Sequence, residues 1–404
     1  MRLNNIYILL VLLTLCVAIP PSQAALTSLE ISQQEEKKGI PLPQEAWFKR
    51  LERYRKDIIE EYGTDFAFLF NYTQQAILKS SQDKGKSRGA WYWNFEIAQK
   101  LWMGGELFVE LEMDRGKGVD KFLPTFSSFN DNAGDDAWFY LPALYLEQRL
   151  FNDKFFMVAG KLDLSYWFDW NEAACSADTQ FLSSSLVNNL AIPFPAKGIG
   201  AMISLNPYAW LYFQSGAATA KASSTKAGLS DAFNSTFFIN EFGFTPKFGA
   251  LQGNYRFIFH LNHQKLDYLD SDDTKNNDCG WALSFDQAIT EHIILFLRYG
   301  TADPKVRDIE YFWSCGTQIM EPIPGRKFDC LGIGVAQSIF GKDYRQANGY
   351  DETSRSETMY EIYYSYNLNS ALIFTPNLQI VTNPNADKSA DTEIVCGLRF
   401  LLSF

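Results

Sequence analysis

TEIVCGLRFLLSF, residues 392–404, alternates between two kinds of side chain. Every second residue is apolar, while the residues between them include a glutamate, an arginine and a serine. The apolar set is Ile394, Cys396, Leu398, Phe400, Leu402 and Phe404, and the other set includes Glu393, Val395, Gly397, Arg399 and Ser403. Because successive side chains of a β-strand point to opposite faces, this period of two predicts a strand with one apolar face and one charged face.

The same alternation recurs earlier in the chain. Trp91, Trp93, Phe95 and Ile97 alternate with Tyr92, Asn94, Glu96 and Ala98, and Tyr255, Phe257, Phe259 and Leu261 alternate with Arg256, Ile258, His260 and Asn262. In each case one face is apolar without a charge, and the charges lie on the opposite face. This pattern is typical of membrane barrels, whose strands meet lipid on one side and a wet lumen on the other.

Sixteen such segments follow one another from Thr64 onward, separated by clusters of Gly, Asn, Asp, Pro and Ser. The predicted strands are 64–77, 90–102, 105–113, 137–150, 154–164, 197–205, 208–217, 235–246, 249–263, 278–289, 291–300, 309–319, 328–338, 357–367, 370–381 and 391–404. An even number agrees with bacterial single-chain barrels.

The predicted connections alternate between short turns and long loops, as they do at the two ends of such a barrel. The short turns are Met103-Gly104, Asn152-Asp153, Asn206-Pro207, Lys247-Phe248, Thr290 and Asn369. The long loops are 114–136, 165–196, 218–234, 265–277 and 341–356. We expect the short set to face the periplasm.

Composition supports an all-β transmembrane barrel of about sixteen antiparallel strands. Aromatic residues make up 16% of the chain, while the mean hydropathy is only -0.18. A barrel with aromatic girdles and a water-filled lumen combines a high aromatic content with a low mean hydropathy in this way. After residue 25 no apolar run reaches the roughly 18 residues of a spanning helix, which excludes a helical membrane protein.

The N-terminal residues predict export. Met1 and Arg2 precede an apolar stretch at residues 6–19, and Ser22-Gln23-Ala24 forms a small-residue cleavage site. We expect a signal peptide over residues 1–24, because an apolar core of about 14 residues is shorter than the roughly 20 of a membrane anchor. Residues 25–63 then form a periplasmic segment with one short amphipathic helix, Pro43 to Tyr62, and residues 64–404 form the barrel in the outer membrane.

The main structural alternative is a secreted soluble β-sandwich or β-helix. A sandwich with sixteen strands usually divides into linked domains, and a β-helix shows a short internal repeat. Neither a linker nor such a repeat is present in the sequence.

Charge and cysteine content narrow the function classes further. The net charge of -11 argues against nucleic-acid binding. The five cysteines after residue 24 contain no CxxC pair, so the sequence implies no metal and no cofactor. The sequence leaves undecided whether Cys315 and Cys330 form a disulfide. Because the number of these cysteines is odd, at least one thiol is unpaired.

Several collinear blocks carry a family pattern. In the C-terminal third they are Glu357–Tyr364 (ETMYEIYY), Leu372–Pro384 (LIFTPNLQIVTNP) and Val395–Phe400 (VCGLRF). Earlier blocks are Ala159–Asp163 (AGKLD), Gln180–Pro195 (QFLSSSLVNNLAIPFP) with 198–201, Phe296–Gly300 (FLRYG), and Pro324–Arg326 ahead of Asp329 and Gly332. In these blocks the chain resembles the carbohydrate-selective porins of the OprB family. The resemblance implies a sixteen-stranded outer-membrane barrel that favours monosaccharides and related polar solutes.

A barrel of this size leaves an aqueous channel, so selectivity must come from whatever narrows the lumen. We expect the long segment 165–196 to fold inward, because it combines aromatic and polar groups that suit a sugar; the alternative is an exposed loop. The constriction candidates are Trp167, Asp169, Trp170 and Asn171. The predicted pore-lining charges are Glu96, Glu106, Glu110, Glu147, Arg149, Lys161, Arg256, Arg298, Glu361 and Arg399.

Two other functions remain open at this stage. A general or anion-preferring porin would share every feature except the residues at the narrowest point. An outer-membrane hydrolase is the alternative of another class, but the chain has only three histidines and neither a GxSxG nor an HExxH motif, so we predict no catalytic residue. The expected partners are small sugars and outer-membrane lipid, and a homo-oligomer is left open.

Overall fold

The computed structural model describes residues 43–81, 83–134, 136–228, 232 and 234–404. The predicted signal peptide lies outside these residues. Helix α1 spans Pro43–Tyr62, as predicted. Proline is well placed at a helix start because its missing N–H has no partner there. The helix ends at Gly63, which has a φ of 60° and donates its N–H to Ile59 O at 3.0 Å.

Seventeen strands follow α1 in the described part of the chain. They are β1 Thr64–Lys79, β2 Ser87–Trp102, β3 Gly105–Arg115, β4 Tyr140–Leu150, β5 Phe155–Leu162, β6 Gly198–Tyr208, β7 Leu211–Thr219, β8 Thr236–Phe244, β9 Lys247–Phe248, β10 Leu251–Asp267, β11 Thr274–Ala288, β12 Ile293–Thr301, β13 Ile309–Met320, β14 Cys330–Phe340, β15 Ser356–Asn367, β16 Leu372–Thr382 and β17 Glu393–Ser403. β9 is a two-residue strand that pairs only with β10. The other sixteen confirm the predicted strands.

The sixteen strands form a closed antiparallel barrel. Each pairs with its neighbours along the chain, and β1 pairs with both β2 and β17. In the closing pair Phe70 lies opposite Leu402, and Phe68 exchanges both backbone hydrogen bonds with Phe404 at 2.8 and 3.0 Å. Closure removes the free sheet edges that would otherwise pair with other chains.

Most connections alternate in length as predicted, but 321–329, at the end of the short turns, is longer than 80–86, 268–273 and 302–308 at the other end, and the predicted long loop 265–277 is shortened to 268–273. At one end they are 103–104, 151–154, 209–210, 245–250, 289–292, 321–329 and 368–371, and at the other end 80–86, 116–139, 163–197, 220–235, 268–273, 302–308, 341–355 and 383–392. These include short helices α2 (Ser184–Val187) and α3 (Lys342–Ala347).

Two predicted turns were wrong. Lys247 and Phe248 form strand β9, and the turn follows them at Gly249-Ala250. Strand β6 continues through Asn206 and Pro207, and the turn is Ala209-Trp210. The pairing register with β7 shifts between Leu205 and Tyr208, so the proline lies in an irregular part of the ladder. A bulge accommodates proline because the extra residue there needs no ladder hydrogen bond.

The two faces of the strands match the predicted alternation. Phe257, Phe259 and Leu398 face outward and are 46%, 43% and 49% exposed, as lipid-facing residues should be. Arg256 and Arg399 face inward and are only 5% and 2% exposed. This reversal of the usual globular pattern is that of a transmembrane barrel. Among the described residues, no helix is long and apolar enough to cross a membrane.

Part of the lumen is filled by the segment 163–197, which we call the infolded loop. On one side of it, Phe181 packs against Phe296 and Tyr363, with ring centroids 5.6 and 4.9 Å apart. On another side, Leu164 and Phe168 belong to a second buried cluster with wall residues from β2 to β11. The apolar core of the molecule therefore lies between this loop and the inner barrel wall.

Cys315 and Cys330, whose pairing the sequence left undecided, do not form a disulfide. Cys330 pairs with Met320 in the register of β13 and β14, which places Cys315 five residues from that partner. An odd offset puts the two side chains on opposite faces of the wall. All five cysteines after residue 24 are free thiols.

Candidate functional site

The infolded loop is held by charged groups on the inner wall. Arg298 on β12 is fully buried, and its Nε lies 3.0 Å from Asp169 Oδ2. The same guanidinium donates to Leu186 O at 3.1 Å and to Asp169 O at 2.9 Å. Asp169 Oδ2 also accepts the Asn189 N–H at 3.0 Å. One wall arginine thus ties together the two halves of the loop.

Two further wall residues bind the loop backbone, one as a hydrogen-bond acceptor and the other as a donor. Glu361 on β15 accepts the N–H groups of Leu182 and Ser183 at 2.7 and 2.9 Å. Arg399 on β17 donates to Ala177 O at 2.5 Å and to Gln180 O at 2.9 Å. Buried loop backbone needs such partners because water is excluded from it.

Sequence reasoning missed two anchors of this kind. Glu241 on β8 accepts the Asp169 N–H at 3.0 Å. Glu357 on β15 accepts the N–H groups of Phe126, Ser127 and Asn385, at 3.0, 2.6 and 2.6 Å, and so fastens two other loops. The available signal was the spacing of Glu357 and Glu361, which places both on the inward face of one strand.

The ten predicted pore-lining residues separate into distinct environments. Glu96, Glu110, Glu147 and Arg149 line a cavity in the lumen. Arg298, Glu361 and Arg399 bind the infolded loop, as described above. Lys161 donates to three backbone carbonyls, Arg256 pairs with Asp286 at 2.8 Å, and Glu106 is buried opposite Glu147 in the β3–β4 register.

The four constriction candidates lie on the infolded loop but differ in what they contact. Trp167 packs edge-on against Tyr145 of β4, with centroids 5.5 Å apart. Trp170 is 45% exposed and lines the cavity. Asp169 is paired with Arg298, and the Asn171 amide is buried and donates to Phe285 O at 3.1 Å. The two tryptophans therefore present surface toward the cavity, and the two polar residues hold the loop.

The cavity has a volume of about 1150 Å³ and lies between the infolded loop and the wall formed by β1 to β5 together with β16 and β17. Its lining residues come from both ends of the barrel. The carboxylates that line it are Glu96, Glu110, Glu112, Asp131, Glu147, Asp163, Asp169, Asp178 and Asp329, and the cations are Arg149, Lys197, Arg326 and Lys327. The aromatic lining includes Tyr92, Phe108, Tyr145, Tyr166, Trp167 and Trp170. We call this cavity the channel.

Polar contacts connect the loop to the channel wall. Lys197 Nζ lies 3.1 Å from Glu110 Oε1 and 3.4 Å from Glu112 Oε2. Asp178 accepts hydrogen bonds from Asn71 Nδ2 at 2.8 Å and from the Tyr92 hydroxyl. These contacts fix the position of the loop across the channel without closing it.

Comparisons with known proteins agree with this geometry. Residues 90–404 match the model of the family described as "Carbohydrate-selective porin, OprB family". The structure is similar to the high-pH structure of Pseudomonas putida OprB, with a TM-score of 0.77 over 88% of this chain and 97% of that one, at 18% identity. It is also similar to the outer membrane channel DcaP of Acinetobacter baumannii, with a TM-score of 0.53 over 85% and 97% of the chains, at 10% identity. At these identities the likeness shows the fold.

Two curated proteins are related in sequence. One is an uncharacterized protein of Aquifex aeolicus, 25% identical over 56% of this chain and 59% of its own length. The other is the porin AaxA of Chlamydia pneumoniae, 24% identical over 71% of this chain and 64% of its own length. The chain thus matches less than two thirds of either relative. The family model, in contrast, covers nearly the whole barrel, and the chain belongs to the carbohydrate-selective porins of the OprB family.

Proposed function

We propose that the protein is an outer-membrane porin through which small sugars, monosaccharides above all, diffuse passively. The observation that carries this proposal is the channel of about 1150 Å³ that remains beside the infolded loop. Cavities of this order accommodate small organic molecules. Diffusion through a preformed opening follows from geometry and needs no energy source.

The channel lining supports sugar as the solute. Sugars have apolar ring faces and polar edges. Trp167, Tyr145 and the exposed part of Trp170 offer aromatic surfaces, while Glu96 and Asn94 offer hydrogen-bonding groups on the facing wall. Carboxylate and amide oxygens accept hydrogen bonds from hydroxyls, and amide and arginine N–H groups donate to them.

The membrane placement extends this proposal. Residues 1–24 direct export, residues 25–63 lie in the periplasm, and the short turns face the same side. Aromatic residues at the short-turn end support an interface with lipid headgroups: Tyr208 stacks on Trp210 at 5.2 Å, and Trp210 contacts Phe244 at 5.7 Å. Orientation can be checked by protease access to residues 268–273 and 341–355 in whole cells.

The hydrolase alternative finds no support in the described part of the chain. There, no histidine ring is hydrogen-bonded to a serine, threonine or cysteine side chain: the His263 ring bonds Asn277, and the buried His260 ring has no side-chain partner. A nucleophile needs such a base within reach. Nor do the described residues include a group of three potential metal ligands. We therefore propose transport without catalysis.

A liposome-swelling series tests the proposed function. Purified protein is reconstituted and challenged with glucose, a disaccharide, a trisaccharide, amino acids and salts. We expect rapid swelling in glucose and a steep decrease with sugar size, because the infolded loop narrows the lumen. Protein-free liposomes provide the control. Absence of swelling in glucose, or a planar bilayer that stays electrically silent, contradicts the proposal.

A further inference from the structure

The fixed charges along the channel are strongly unequal. Among the described residues that line it, nine are carboxylates and four are cations. Three of the cations are already paired: Arg149 with Glu147 at 3.3 Å, Lys197 with Glu110 and Glu112, and Arg326 with Asp329 at 2.8 Å. One further lining carboxylate, Asp169, is paired with the buried Arg298, which leaves Glu96, Asp131, Asp163 and Asp178 without a cationic partner among the described residues. A solute in this channel therefore meets more negative charge than positive charge.

The wall carboxylates lie at successive heights. Glu96 faces Glu110 in the β2–β3 register, Glu112 lies opposite Asn94 one step further along, and Glu147 lies toward the short-turn end beyond the stacked rings of Phe108 and Tyr145. Alternate residues of a strand are about 6.6 Å apart. A cation that moves along the wall thus passes from one carboxylate to the next.

Glu96 has no partner of its own. Its carboxylate lines the channel, and within the described part of the chain it forms no ion pair and accepts no hydrogen bond. Lys197, at the end of the infolded loop, pairs with Glu110 and Glu112 instead. Glu96 is therefore available to a solute.

Aromatic rings stand beside this carboxylate. Tyr145 lies on β4, with β3 between it and the strand of Glu96, and Trp167 of the infolded loop packs edge-on against it at 5.5 Å. Both residues line the channel. Aromatic faces attract cations as well as apolar ring faces. A carboxylate beside aromatic rings suits a molecule that carries both a sugar ring and a positive charge.

We infer that the channel prefers amino sugars with a protonated amine over neutral sugars, and neutral sugars over sugar acids. This inference rests on the proposed function and specifies its solute class. A carboxylate lining raises the local concentration of cations and repels anions, as charged rings do in other channels. It also disfavours the anion-preferring alternative.

Zero-current potentials in planar bilayers test the inference. A gradient of glucosamine hydrochloride reports the permeability ratio of glucosammonium to chloride, and a gradient of sodium glucuronate reports the ratio of glucuronate to sodium. We expect glucosammonium to permeate better than chloride despite its larger size, and glucuronate to be nearly excluded. A channel that favours chloride, or passes glucuronate as readily as sodium, overturns the inference.

Variants with opposite expected signs sharpen the test. Glu96→Gln should lower the glucosammonium-to-chloride ratio at least about fivefold, because one unit charge near contact distance in water changes the local concentration of each ion by about that factor. Lys197→Gln should raise the ratio, because it removes a cation from the lining. Asp272→Asn, an exposed carboxylate in the 268–273 loop, is the matched control and should change nothing.

Glucose swelling with the same preparation separates the two levels of the proposal. Loss of glucose uptake in the parent protein overturns the porin assignment together with the inference. Normal glucose uptake with ratios that are insensitive to Glu96→Gln and Lys197→Gln overturns the inference alone.

Discussion

Arg298 and Asp169 form a buried ion pair, with Nε 3.0 Å from Oδ2, between the barrel wall and the infolded loop. Arg298 is completely buried, and Asp169 is 5% exposed. The arginine points into the lumen, as its position on the strand predicts. Its charge is paired with Asp169 of the loop and is therefore not available to a solute. The pair therefore helps to hold the infolded loop in the lumen.

Replacement of Arg298 tests this positioning role. We expect Arg298→Met to release the infolded loop, because one buried charge and two backbone carbonyls lose their partner, at a cost of about 3–5 kcal/mol. Single-channel conductance should rise, and liposomes should admit larger sugars than the parent does. Arg355→Met, at an exposed arginine of the 341–355 loop, is the control. A folded Arg298→Met barrel with unchanged conductance and size limit would show that the loop stays docked without the pair.

Glu361 offers a more local test of the same loop. Glutamine in its place keeps one acceptor oxygen but turns an amide toward the N–H of Leu182 or Ser183, which leaves a buried donor unpaired and costs about 1–3 kcal/mol. We expect Glu361→Gln to accelerate hydrogen exchange at these two amides while the strands stay protected. Glu352→Gln, an exposed glutamate, makes the same chemical change as a control. Equal exchange in both variants would refute the anchoring role.

Arg55 joins α1 to the barrel. Its Nε and Nη2 lie 2.6 and 2.9 Å from the two oxygens of Asp65, which is 1% exposed on β1. A bidentate pair of this kind holds both partners in a defined orientation. We expect Arg55→Met to make α1 susceptible to limited proteolysis. The barrel should stay folded, as judged by its heat-modifiable electrophoretic mobility. Arg53→Met, an exposed arginine of the same helix, should be cleaved no faster than the parent.

Asp120, in the 116–139 loop, predicts a pH effect on stability. Burial raises the pKa of this carboxyl to about 6, although one oxygen accepts the Phe129 N–H at 2.7 Å. A carboxyl whose pKa is higher in the folded state stabilises the fold when protonated, so this contribution is present below about pH 4 and is lost as the pH rises through about 6.

Asp120→Asn stays neutral at every pH and should keep that contribution. We expect the variant to melt at a higher temperature than the parent at pH 7, and the difference to shrink toward about pH 4. Thermal unfolding in detergent across this pH range measures the effect. A difference that grows on acidification would contradict the assigned direction.

The sequence alone predicted the barrel because its evidence is local. Alternation depends only on neighbouring residues, so the strands around Trp93, Phe257 and Phe400 could be identified one by one, and so could α1. The inward face of Arg298 and Glu361 followed from the same periodicity. The wrong turn at Asn206-Pro207 arose because a bulge and a turn favour the same residue types. The wrong turn at Lys247-Phe248 lies two residues before the actual one at Gly249-Ala250.

Only the tertiary structure decided which inward charges remain available in the channel. Arg298 and Glu96 are equivalent in sequence terms, since each is the charged member of an alternating strand. Arg298 meets a loop residue 129 positions away, whereas Glu96 meets the open lumen. Contacts across that separation depend on how a long loop packs inside a closed wall, and no period along the chain encodes that packing.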